Sequence, residues 1–124
     1  MWTCETFKEF FEKEKVRKIA TGHYGSDPTF LFNPDGSFNQ DNWNGSDLIR
    51  RYALHCWDGD IIDDRVKVGF ACDDWTVIIK INKDTYVIEW YKSRGRTDRI
   101  TKNKKPITLS EYVELLNILE IENF

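Results

Sequence analysis

The sequence predicts an α+β fold: one domain in which an antiparallel β-meander of three to five strands carries an N-terminal helix, a middle helix and a C-terminal helix on one face. Residues 66–90 alternate apolar and polar side chains in three runs separated by turn-forming residues, the period of strands with one buried face. Thr108 and Glu111 have capping-box spacing at the head of a stripe of Leu109, Tyr112, Val113, Leu116 and Leu119, the repeat of a packed helix. The 124 residues, 40% apolar and 31% charged, fill one hydrophobic core and not two.

At the N-terminus Phe7, Phe10 and Phe11 recur at helical spacing, and Glu5 and Glu9 favour the positive end of a helix. Thr3 as cap sets Trp2 against Phe7 as a hydrophobic staple, whereas Thr6 as cap makes Glu9 the partner of a capping box. The pattern weakens over Glu12 to Lys15, and Val16 to Tyr24 brings β-branched residues and a glycine, so a short strand is expected to begin near Lys18. Gly25-Ser26-Asp27-Pro28 reads as a turn. Thr29 to Phe32, Asn33-Pro34-Asp35-Gly36 and Ser37-Phe38 read as a small hairpin. Ser46 then caps a second helix with Leu48, Ile49, Tyr52, Ala53 and Cys56 on its apolar face.

The segment from Asp58 to Asp64 is a loop holding four aspartates. The meander follows as Val66, Val68, Phe70 and Cys72, then Trp75, Val77, Ile79 and Ile81, then Tyr86, Ile88 and Trp90, with turns at Asp73-Asp74 and Asn82-Lys83-Asp84. Its second face is mixed, since Ile78, Val87 and Tyr91 stand among Thr76, Lys80 and Glu89. A fourth strand is expected over Arg99 to Lys102, after a turn at Ser93-Arg94-Gly95-Arg96. The last helix opens at Thr108 with Ile107 and Tyr112 placed to staple it.

Several function classes lose support. The apolar runs, such as Phe30-Leu31-Phe32, are far shorter than the roughly 20 residues of a spanning helix, and the N-terminus lacks the pattern of a secretory signal, so no membrane association and a cytoplasmic location are expected. Cys4, Cys56 and Cys72 are too few and too scattered for a disulfide scaffold or a zinc knuckle. Cys56 directly follows His55, and neighbours on a helix point about 100° apart, which rules out a thiol–imidazole pair between them. Neither a nucleophile-elbow Gly-Xaa-Ser-Xaa-Gly nor a phosphate-cradling glycine loop nor a helical His-Glu-Xaa-Xaa-His occurs. The expectation is therefore a non-catalytic protein with no cofactor and no metal; the aspartate loop has the oxygen chemistry of a hard-cation site but departs from the spacing of a calcium loop.

Two constellations remain. Trp43 and Trp57 sit beside Asn, Asp and Gly in what read as polar loops, the setting of side chains that anchor a partner. Trp75 and Trp90 read as core. Residues 92–105 hold seven basic side chains against the single acid Asp98, so a chain of net charge −3 carries +6 there and −9 elsewhere. In that segment Lys92, Arg94, Arg96 and Arg99 have the chemistry to bind phosphate, with Trp90 and Tyr91 as stacking surfaces. The first reading is a small binding protein that engages a protein partner, with a homo-oligomer as one form. The Lys-, Asn- and Ile-rich C-terminal half has the composition of a low-GC bacterium or its phage, which suits an inhibitor- or immunity-like role. The alternative reading is a protein that sequesters a phosphate-bearing small molecule or single-stranded nucleic acid.

Overall fold

The fold was obtained as a computed structural model, which describes residues 1–21, 31–42, 47–71, 74–91 and 96–122. Among these residues three helices and five strands follow in the order α1 (Cys4–Thr21), α2 (Leu48–Trp57), β1 (Val66–Ala71), β2 (Asp74–Ile81), β3 (Asp84–Tyr91), β4 (Arg96–Lys102), β5 (Lys105–Pro106) and α3 (Leu109–Ile118). Each strand pairs antiparallel with the next, so the spatial order of the sheet is its sequence order. This is the α+β meander that the alternation predicts.

Thr3 is the cap of α1: its hydroxyl accepts from the Thr6 amide at 3.1 Å, while the Thr3 amide donates to the Thr6 hydroxyl at 2.8 Å. Trp2 packs edge-on against Phe7 with ring centroids 5.9 Å apart, the staple that this cap implies. The strand expected from Lys18 does not form, because α1 continues to Thr21. β-Branched residues cost a helix only a few tenths of a kcal/mol each, and a Glu14–Arg17 pair at 2.8 Å supports the turn where the apolar pattern fades. Of the expected hairpin the described residues carry a bridge between Phe32 and Phe38 around the Asn33–Gly36 turn, with Gly36 at a φ of +89° that favours glycine. Gly25 to Phe30 lie outside the described residues.

The cap of α2 is Asp47 rather than Ser46, which lies outside the described residues; the Asp47 carboxylate accepts from the Arg50 amide at 3.1 Å. Asp47 is fully buried. It also accepts from the Tyr112 hydroxyl at 2.8 Å and the Thr97 hydroxyl at 2.9 Å, so one carboxylate ties the start of α2 to α3 and β4. β4 begins at Arg96, earlier than expected, because a bulge at Asp98 lets the pairing with β3 resume at Thr97. Asn42 brackets Thr97 from outside the sheet, its side-chain amide donating to the Thr97 carbonyl at 2.8 Å and accepting from the Thr97 amide at 3.1 Å.

The buried side chains form one cluster, in which Val77, Ile79, Ile88 and Ile100 of the sheet meet Leu48 and Ile49 of α2 and Leu115 and Leu116 of α3. Tyr112 lies at its centre, with the Phe7 and Phe32 rings each 5.2 Å away. The capping box of α3 is present as expected, Glu111 accepting from the Thr108 amide at 3.0 Å. Near the chain ends, the Trp2 amide donates to Asn117 at 2.8 Å and Asn117 donates back to the Trp2 carbonyl at 2.9 Å, which fastens α1 to α3. No described helix is long and apolar enough to cross a membrane.

Candidate functional site

At one end of the sheet the helix-bearing face carries a row of rings. Phe70 on β1 stands opposite Trp75 on β2, and Trp75 opposite Trp90 on β3. Their centroids are 5.0 and 5.8 Å apart in tilted stacks. α2 crosses the row with two side chains seven residues apart, hence on one helix face. Arg50 places its guanidinium 4.3 Å from the Trp90 ring. Trp57 meets Phe70 and Trp75 edge-on at 5.1 and 6.2 Å.

Trp57 is not in a loop, as the sequence suggested, but is the last residue of α2; the helix ends just after it, at Asp58 and at Gly59 with φ +83°. A helix of ten residues spans about 15 Å, so the cover it gives the sheet ends there. Trp57 is left 50% exposed and Phe70 54% exposed. Edge-to-face contacts hold these rings in place beside water.

The loop after α2 forms a wall beside β1. Ile62 in this wall is 96% exposed. Between wall and strand runs a groove of about 300 Å³ lined by Cys56, Trp57, Ile61, Ile62, Val66 and Val68, among others. The wall is fixed by Asp63, which accepts from Arg65 Nε and one terminal nitrogen, both at 2.9 Å, and from the Tyr52 hydroxyl at 2.7 Å. The Arg65 guanidinium and the Tyr52 hydroxyl hold the Asp63 carboxyl down at about 2, against its partial burial. Burial, followed by the neighbouring Asp63, pushes the Cys56 thiol up, the opposite of an activated nucleophile. Asp60 lies 3.2 Å from His55. Among the described residues no group of three or more His, Cys, Asp or Glu side chains could hold a metal ion.

A depressed carboxyl pKa stabilises the fold above its unfolded value, near 3.8, and the contribution disappears as pH falls through about 2. Its size is about 1–2 kcal/mol, towards the lower end because Arg65 is 39% exposed and water screens the pair. Urea unfolding of the wild type and Asp63→Asn should therefore differ most above pH 5 and converge near pH 2. An unchanged gap across that range would show that the ion pair does not fix the wall.

Of the basic-segment candidates, Lys92 and Arg94 lie outside the described residues, as does Trp43, and Arg96 is described in its backbone alone. Arg99 stands on the second face of the sheet, opposite Glu89 and 3.4 Å from its carboxylate. Tyr91 is on that face too. Trp90, one residue earlier, is on the helix-bearing face, so Trp90 and Tyr91 do not share a stacking surface. The Trp90 ring nitrogen is buried with no hydrogen-bond partner among the described residues.

The ring row contains a residue that the sequence placed only on the apolar face of the meander, Phe70, because alternation identifies a face and says nothing of where the covering helix stops. A signal was present. Phe70 and Trp75 flank the turn symmetrically, which makes them cross-strand neighbours, and Gly59 two residues after Trp57 marks Trp57 as helical. Compared with known protein families, curated proteins and solved structures, the chain matches none.

Proposed function

We propose that this is a non-catalytic binding protein whose partner is another protein, held at the aromatic corner of Trp57, Phe70 and Trp75. The observation that carries the reading is the pair of half-exposed rings, Trp57 and Phe70, locked edge-to-face at the rim of the core. Half of a Trp and half of a Phe leave on the order of 100 Å² each in water, about 2.5 kcal/mol apiece at 25 cal/mol per Å². A partner that covers both gains that stabilisation without ordering floppy side chains, the property of an interface hot spot. The phosphate-binding alternative draws less support, since the Trp90 ring already carries Arg50 and Arg99 faces the opposite side of the sheet from it.

The test is capture of the partner from extracts of the source cells by the immobilised protein. A chain carrying both Trp57→Ala and Phe70→Ala should lose binding by about 3 kcal/mol or more, beyond a hundredfold, while its unfolding midpoint moves little because both rings lie at the rim. Undiminished capture would sink the reading. A thermal shift with nucleotides or short single-stranded RNA that Arg99→Ala abolishes would move the function to the basic segment.

A further inference from the structure

The two edges of the sheet are treated differently. On the β4 side, the outward groups of Thr97 are bonded by Asn42, the Ile100 carbonyl by the Ile107 amide at 3.0 Å, and Lys102 by β5. On the β1 side, the Lys80 amide donates to the Arg65 carbonyl at 3.0 Å. Antiparallel alternation then turns Lys67, Gly69 and Ala71 towards β2, and the main-chain groups of Val66, Val68 and Phe70 outward. The Val66 amide is taken by the Asp63 carbonyl at 3.2 Å. No described residue bonds the outward groups of Val68 and Phe70. The open edge borders the apolar groove and ends at the aromatic corner.

The wall of the groove is acidic. Asp58, Asp60 and Asp64 are exposed along it, Asp60 beside His55, while Asp63 is already matched by Arg65; Lys67 is a further cation lining the groove. We infer that the open edge of β1 takes up an extended segment of a protein partner as a sixth strand, its main chain bonding Val68 and Phe70, apolar side chains entering the groove, and lysine or arginine side chains meeting the aspartate wall. This rests on the protein-partner reading above and specifies the form of that partner. A second copy fits less well: antiparallel pairing of two β1 strands about Val68 sets Arg65 opposite Ala71 and Lys67 opposite Gly69, so neither cation is brought against the partner's aspartates.

The probe is a capped octapeptide with a valine–threonine core and two lysines at each end, compared with its counterpart carrying glutamates at the ends, titrated into the full chain while the backbone amides are followed by NMR. The lysine peptide should shift the Val68 and Phe70 amides, bind about tenfold or more tighter than the glutamate peptide, and weaken with salt. Val68→Pro removes an outward N–H that the ladder to β2 does not use, and edge strands tolerate proline; it should abolish binding with the β2 and β3 amide signals in place. Asp58→Asn with Asp64→Asn alters no main chain and should narrow the gap between the two peptides.

Absent binding of the lysine peptide, equal binding of both, or binding that survives Val68→Pro would overturn the inference. A dimer forming through the Val68 and Phe70 amides without peptide would overturn the cationic partner in favour of a second copy. Loss of partner capture in the Trp57 and Phe70 variant, alongside a negative peptide result, would overturn strand addition alone. Capture that survives that variant defeats the aromatic-corner reading whatever the peptides do.

Discussion

Asp47→Ala is expected to lower the free energy of unfolding by about 4 kcal/mol, a large share of the 5–15 kcal/mol available to a domain of this size. The substitution removes the α2 cap, worth about 1 kcal/mol. It also removes the acceptor of the Tyr112 and Thr97 hydroxyls, the latter keeping only the Arg50 guanidinium at 3.4 Å, at about 1–3 kcal/mol for each donor left unpaired. Asp47→Asn keeps a good capping residue and one accepting oxygen, so it should cost only about 1–2 kcal/mol. Urea unfolding of the two variants separates these roles. Equal losses would mean that the charge, rather than the number of accepting oxygens, matters at this position.

Tyr112→Ala is the second large effect, at about 3–5 kcal/mol. The ring is fully buried and touches both Phe7 and Phe32, so its removal opens a cavity where α1, α3 and the Asn33–Gly36 loop meet. Tyr112→Phe keeps the ring and should cost about 1 kcal/mol, since Asp47 retains two other donors. In an Asp47→Ala background the same change should be neutral or stabilising, because the hydroxyl has already lost its acceptor. A double-mutant cycle by chemical denaturation measures that coupling, and additive losses would show that the bond contributes nothing.

The meander and α3 were legible because each rests on a local rule: alternation for Val77, Ile79 and Ile88, and the Thr108–Glu111 spacing for the helix start. The helical extent of α1 was not. Val16 and Ile19 lower helix propensity too little to end a helix, and only a missing stop signal distinguishes the two outcomes. Asp47 could not be preferred over Ser46 by residue type, since both cap well; what selects it is Tyr112 arriving from 65 residues away. At the candidate site, residue types such as Trp57 stood out, while the exposure of Phe70 depended on where α2 stops. The open edge of β1 is a property of the assembled sheet, and no residue in Val66 to Ala71 announces it.

The Asn42 bracket on Thr97 bears on how this protein behaves when concentrated. A sheet with two receptive edges is a link that can be joined at both ends, and such links grow into fibres. Here the Thr97 stretch of one edge is closed by a side-chain amide that takes both main-chain bonds of Thr97, and Lys102 is covered by β5. A strand added at β1 would thus find no second site at the Thr97 stretch, and growth there is blocked by a residue on the far side of the molecule.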